Sequence, residues 1–405
     1  MSRFTTRELA IIAIALEDEE RSARNNSRRF WVHKMLKARR AEGEFWQIQR
    51  HLLDDEEKFY IYFHMNRYLF DYILSFIEKD ITKKNTKFRQ AITPIEKIAV
   101  TLRYMITGSS ARTLSSSFRL GESTIRSIIQ EVCNAIINKL MGIFIPTPIE
   151  ERWKSIAEGF QDRWNFPNCI GAIDGKHVNI IAPANSGSLY FNYKKHFSVV
   201  LMAVVDDKYR FIIVDIGAFG RNSDGGIFAS SKLARRLESN SLHIPNDKPL
   251  PGSNRDIPHV FIGDEAFPLM KNLMRPYPRC RGLSEAQTTF NERLSRARKV
   301  VEDAFGILYQ KFGIYNKSIN MNPIHVDTLI LATCILHNIM RSYEIEYLNQ
   351  HEMQQPIHRN ENGFLQPILL ENGMNSAENA FNIRDLFSSY FQSPEGQVPW
   401  LHQNI

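Results

Sequence analysis

Apolar positions change their period near residue 169. Before it they recur every three or four residues, as in helices that bury one face. After it they come in short continuous or β-branched blocks, as in strands. Residues 1–90 therefore read as helical and polar, with a periodic aromatic run from Phe59 to Ile77. Residues 94–140 read as three helices, the first capped by Thr93 with Pro94 at its opening position, where the missing N–H is tolerated.

Within that region, RTLSSSFRLGESTIRSIIQEV has the spacing of a helix-turn-helix. Leu114, Ser115, Phe118, Leu120, Ile125 and Ile128 stand at the buried positions, and Gly121 lies in the turn. Arg119 occupies the place where such turns often carry glycine. The second helix would present Ser123, Thr124 and Arg126 near its start, where recognition helices meet a groove or phosphates. A small bundle that only packs on its neighbour is the other reading.

Residues 143–168 read as a connector broken by Pro146, Pro148 and Pro167. Strands are expected at Cys169–Ile181, Phe197–Val205, Tyr209–Ile216 and His259–Gly263, the middle two joined as a hairpin through Asp206-Asp207-Lys208. Helices are expected at Asp224–Glu238, Glu285–Phe312 and Asp327–Tyr343. This order predicts an α/β fold, a mixed sheet flanked by helices, preceded by an all-α region. The expected divisions are a basic helical region 1–90, a helix-turn-helix-like segment 91–142, a linker 143–168, an α/β domain 169–341 and an acidic tail 342–405.

Two acids stand where strands meet loops. Asp174 interrupts IGAID, and Asp264 ends HVFIG. A carboxylate in a buried strand is unfavourable unless paired or bound to metal, although a lone turn-capping Asp is common. A third acid should come from the long helix across the sheet. There Leu294, Ala297, Val301, Ala304, Phe305, Leu308 and Phe312 form one stripe. Glu302 falls about 100° from its centre, on the shoulder, with Arg298 one turn earlier, whereas Asp303 and Glu292 point to solvent. Arg298 and Glu302 could equally form a plain i,i+4 ion pair. Three converging carboxylates suit two divalent cations in phosphodiester chemistry, because hard cations take oxygen ligands.

Charge adds a partner class. The chain holds 51 basic and 44 acidic residues, for a net +7. Two basic and eight acidic residues lie from Ser342 onward, which leaves 49 and 36, or +13, in the body. A basic body fits a polyanion; Arg28, Arg29, Lys34, Lys37, Arg39 and Arg40 make one basic stretch. The tail segment NIRDLFSSYF reads as an amphipathic helix and a candidate docking segment. Cys133, Cys169, Cys280 and Cys334 form no CxxC pair, so neither a zinc ribbon nor a disulfide framework is expected, and a reducing compartment fits. No apolar run of 18 residues predicts a membrane span, and Leu9–Leu16, followed at once by four acids, reads as the start of a helix rather than a signal core. GAIDGKH lacks the spacing and hydroxyl of a P-loop, no GxSxG elbow occurs, and His325 and His337 read as core histidines.

The blocks GAIDGKHV, FIGDEAFPL, NERLSRARKVVEDAFGIL and LILATCILHNIM together resemble the transposases of PIF/Harbinger transposons and the nuclease derived from them. The resemblance is strong over about residues 165–341 and weaker over RRFWVHKML and DEEKFYIYFHMNRYLFDYIL. It implies an RNase H-like nuclease fold with a DDE triad on Asp174, Asp264 and Glu302, loaded with Mg²⁺ or Mn²⁺. It puts Asp224 on a further acidic position of the family, with Ser223 where the family has histidine. It puts Lys176 and His177 in a family block near the scissile phosphate, with ordinary strand polar residues as the other reading; in a nuclease of this type Arg298 and Lys299 would also touch phosphate. It also implies DNA as substrate, a separate Myb-like DNA-binding partner and a nuclear location, and leaves the oligomeric state open. Two other readings stand beside the nuclease: a domesticated DNA- or chromatin-binding protein without catalysis, and a helix-turn-helix regulator whose first 142 residues bind DNA alone.

Overall fold

A computed structural model describes residues 34–86, 90–278, 282–352 and 376–397. Leu9–Leu16, Arg28, Arg29 and Cys280 lie outside them. The helical part runs α1 Lys34–Lys37, α2 Arg39–Glu42, α3 Glu44–Leu53, α4 Glu56–Phe63, α5 Arg67–Ile81, α6 Pro94–Thr107, α7 Ala111–Phe118, α8 Glu122–Phe144 and α9 Glu150–Trp164. The three helices expected over 94–140 are α6, α7 and α8, and Thr93 does accept from Glu96 N, at 3.3 Å. The run Phe59–Ile77 is two helices, because His64 turns left-handed and Asn66 caps α5 by accepting from Leu69 N.

Helices α7 and α8 are joined by the short turn Arg119–Gly121. Arg119 takes φ 54°, so the position where the motif often has glycine is left-handed here too, and Glu42 meets its guanidinium at 3.1 Å. The second helix is 23 residues long, and its apolar face packs on the core helix α13, Pro323–Glu352.

Residues 143–168 are not a bare connector. The prolines bracket α9, whose Trp153, Ile156, Ala157 and Phe160 form a helical stripe buried on the sheet. Trp153 donates to Leu242 O at 2.9 Å and meets Phe261 edge to face.

The sheet follows: β1 Cys169–Asn179, β2 Ser198–Val205, β3 Phe211–Phe219, then α10 Asp224–Ser230, α11 Lys232–Glu238, a small pair β4 Lys248–Pro249 and β5 Asp256–Ile257, and β6 Val260–Ile262 and β7 Leu273–Met274. Strand order is β3-β2-β1-β6-β7, antiparallel from β1 to β3 and parallel from β1 through β6 to β7. This is the RNase H-like arrangement. Every residue of β2 is buried, because the sheet is covered on both faces. The helix expected over Asp224–Glu238 is broken at Ser231, which caps α11.

Helix α12, Glu285–Lys311, opens with a full capping box at Ser284 and Gln287. Its stripe Leu294, Ala297, Val301, Ala304, Phe305 and Leu308 is buried as the periodicity requires; Asp303 is half-buried and Glu292 exposed. By length and composition, Pro323–Glu346 of α13 could cross a bilayer, but an apolar 18-residue window within it is 67% buried inside the protein, as expected of a core helix. His337 in it is fully buried and bonds Tyr209 O at 2.7 Å, while His325 is exposed rather than in the core. The tail helix α14, Ser376–Tyr390, docks in cis on α12: Phe387 and, just beyond the helix, Phe391 pack against Phe166, while Phe391 also reaches Phe290. Cys133, Cys169 and Cys334 are free and buried.

Candidate active site

The site forms where β1 leaves the cover of its helices. Cys169–Ile173 are buried, and Asp174 to His177 are half-buried. Ala172 pairs with Ile262 across the parallel β1–β6 contact. Asp174 and Asp264 each lie two residues beyond that pair, so they emerge side by side, on strands about 4.8 Å apart.

A third carboxylate joins them from α10. One oxygen from each of Asp174, Asp224 and Asp264 lies within 4.8 Å of the others. Asp224 reaches in because residue 175 is glycine: a Cβ there would overlap the Asp224 carboxylate. Gly225 has the same function against the next loop, where a Cβ would overlap Ala266 O. Ser223 caps α10 by accepting from Gly226 N at 3.3 Å, which fixes Asp224 in the first turn. Asp174 accepts from Gly175 N at 2.8 Å, and Asp264 from Ala266 N at 2.9 Å.

Burial pushes the Asp174 carboxyl up to about 6; the Gly175 N–H and Arg298 work against this, and Asp264 and Asp224 add to it. Burial, and then Asp264, also raise Asp224. Carboxylates held this close repel one another unless a cation joins them.

Glu302 is placed differently. Its side chain is 49% exposed and bonds Arg298 at 2.6 Å, and Arg298 lies 3.7 Å from Asp174. The structure thus brings Asp174, Asp264 and Asp224 into one group and links Glu302 to it through arginine. Asp224 was assigned to the acidic group by resemblance alone; the sequence signal that could have placed it is the glycine directly after each of Asp174 and Asp224.

The predicted phosphate contacts lie on both sides of β1. Lys176 sits 5.1 Å from the Tyr309 ring, facing α12, and Lys299 is exposed on α12. His177 is half-buried on the other face and bonds Ser198 Oγ at 2.8 Å; burial lowers its pKa. Of the helix-turn-helix residues, Ser123 is exposed and Thr124 half-buried, beside a groove also lined by Lys83, Lys84 and Ser127. Arg126 is engaged by Glu122 at 2.9 Å and by Asn320 O at 3.2 Å.

Residues 173–338, which carry all four acids, match the family model described as DDE superfamily endonuclease. Protein ALP1-like of Arabidopsis thaliana is 29% identical over 310 residues, 74% of this chain and 75% of that protein. Antagonist of like heterochromatin protein 1 from the same plant is 25% identical over 294 residues, 71% and 74% of the two chains. The mouse protein named "Putative nuclease HARBI1" is 25% identical over 258 residues, 63% and 69% of the two chains. The chain is thus a distant homologue of the Harbinger-derived nuclease and of ALP1. No solved structure matches it. Oxygen-only donors, half-buried and mutually repelling, have the chemistry of a divalent-metal site.

Proposed function

We propose that the protein is a metal-dependent DNA endonuclease of the DDE type, with transposon strand-transfer ancestry. The observation that carries this reading is the grouping of Asp174, Asp224 and Asp264 at the end of the parallel strand pair, inside the family-matched region. Asp174, Asp224 and Asp264 would hold Mg²⁺ or Mn²⁺, and Glu302 would complete the set after turning away from Arg298. Bound there, the metal supplies Lewis acidity towards water and the phosphodiester oxygens. Arg298, released from Glu302, becomes free to meet a phosphate beside Asp174, and Lys299 adds charge on the same helix. Lys176 and His177 flank the path of the strand along β1.

The reading extends to a nuclear protein that acts with a separate Myb-like DNA-binding partner. It is supported by the Harbinger resemblance of the blocks GAIDGKHV, FIGDEAFPL and NERLSRARKVVEDAFGIL. The α7–α8 pair would contribute duplex contacts through Ser123 and Thr124.

One observation favours a second reading, a DNA- or chromatin-binding protein without catalysis. Arg298 already bridges Asp174 and Glu302, so a fixed cation stands beside the acids. Nicking of supercoiled plasmid in Mg²⁺ or Mn²⁺ separates the two. The nuclease reading expects nicking that chelator and Asp174→Asn both abolish. Salt-sensitive binding without cleavage in either metal, or cleavage that survives Asp174→Asn, overturns it.

A further inference from the structure

Between β1 and β2 the chain makes a tight turn, Asn192–His196, that the acid site does not use. Tyr193 at its tip is 77% exposed, among the most exposed large side chains described. Lys194, Lys195 and His196 beside it are exposed too. Exposed aromatics are ordinarily found on loose surface, but this turn is built from below. Asn192 is only 3% exposed. Its side chain accepts from Lys194 N at 3.0 Å and His196 N at 3.1 Å and donates to Ser198 Oγ at 2.9 Å. Its own N–H reaches His196 O at 2.8 Å. Lys195 is held left-handed, at φ 62°.

The turn is also tied to both elements that carry acids. The Tyr193 ring meets the His177 ring at a 5.7 Å centroid distance, and His177 shares Ser198 Oγ with Asn192. Gly220, on the loop leading to Asp224, donates to Ser198 O at 3.0 Å, and a Cβ there would overlap Ser198 and Tyr190. Tyr190 in turn stands edge to face with Phe219. His177 lies three residues beyond Asp174, about 10 Å along the strand.

We propose that this turn is a clamp for an unpaired DNA strand, in which Tyr193 stacks on an exposed base while Lys194 and Lys195 hold its backbone. The position of the scissile phosphate, about 10 Å away along β1, rests on the nuclease reading above. A paired and stacked base offers no free face, so an aromatic platform selects single-stranded or locally opened DNA. Base–aromatic stacking contributes about 1–3 kcal/mol per base and tolerates any sequence. The Lys194 ammonium, 5.4 Å from the Tyr193 ring, places a cation where the adjoining phosphate would run.

Binding of the full chain to a fluorescein-labelled single-stranded 20-mer and to its duplex, measured by anisotropy in EDTA, tests this without cleavage. Tyr193→Ala should weaken single-strand binding about 10-fold and duplex binding less than about two-fold, whereas Tyr193→Phe should match wild type. Lys194→Ala with Lys195→Ala should reduce the single-strand salt slope by about 1.4, at about 0.7 per phosphate contact. The clamp is overturned if Tyr193→Ala binds single strands as wild type does, if it weakens both forms equally, or if the salt slope is unchanged. The plasmid assay with Asp174→Asn fails or succeeds independently. Loss of the Tyr193 effect with intact metal-dependent nicking refutes the clamp alone. A Tyr193 effect without nicking refutes the nuclease reading alone.

Discussion

The two ends of the central sheet both gather aspartates and treat them in opposite ways. At the β2–β3 turn, Asp206 is fully buried and saturated. Its oxygens accept from the backbone of Lys208 and Arg210, from Arg152 at 2.9 Å and from the Arg210 Nε at 2.8 Å. Its neighbour Asp207 has Arg163 at 3.5 Å. Two acids thus share three arginines. At the other end, among the described residues, the group Asp174, Asp224 and Asp264 meets Arg298, which lies 3.7 Å from Asp174. A structural carboxylate is surrounded by donors because an unpaired buried charge is strongly destabilising. A carboxylate group left short of donors keeps its lone pairs for something that arrives later.

Substitutions should separate the two ends. Asp206→Ala leaves Arg152 and Arg210 without their acceptor and should lower stability by about 3–5 kcal/mol, read as a lower denaturation midpoint. If the midpoint holds, the turn network is not structural. Asp174→Asn should do the reverse. Metal-dependent nicking should fall by more than the roughly 10–100-fold typical of an outer-shell change, while thermal stability without metal stays level or rises as like-charge repulsion is relieved. A clear loss of stability would mean that this end is structural too. Gly175→Ala should displace Asp224 and weaken metal binding by about 10–100-fold, the scale of a supporting-residue change, measured by Mn²⁺ titration calorimetry. Unchanged affinity would remove Asp224 from the site.

The smallest effect concerns pH. Burial, and then Asp206, push Asp207 up to about 6 from an ordinary 3.8. Between those values the folded chain keeps a proton that the unfolded chain has lost, so this residue's contribution to stability falls as pH rises, by at most about 1.4 kcal/mol per pH unit. His337, held down to about 4 by burial, acts oppositely: the unfolded chain gains its proton first as pH drops below 6.5. The test is therefore a difference. Asp207→Asn should gain stability over wild type at pH 7 and lose that gain at pH 4, in parallel thermal melts; a constant difference refutes it.

Much of this was legible in the sequence, for reasons that individual residues make plain. Asp174 and Asp264 stood out because each ends an apolar strand, and the α12 stripe followed from its period alone. Asp224 is placed by the resemblance alone, because its approach depends on space left by Gly175 and Gly225, which exists only once β1 and α10 have met. Helix α9 was hidden by the prolines on either side of it, although Trp153, Ile156, Ala157 and Phe160 carry a helical period. The turn under Tyr193 was invisible for another reason: Asn192 does its bonding through its own side chain and leaves no periodic trace. The acidic tail proved to pack in part on its own chain, where Phe387 and Phe391 find aromatic partners in Phe166 and Phe290.

That packing bears on how fast the site can assemble. Arg293 anchors α12 to Asn165 O at 3.1 Å and to Gly396 O at 3.2 Å, so the helix is gripped from the end of α9 and from the tail. Sliding it would break both anchors, and such helix motions belong to microseconds and beyond. Glu302 needs no such movement to leave Arg298: its side chain is half-exposed, and such side chains change rotamer in picoseconds to nanoseconds. If the acids take up a divalent ion as proposed, stopped-flow mixing should show no slow conformational phase; a millisecond phase independent of ion concentration would mean that the helix moves.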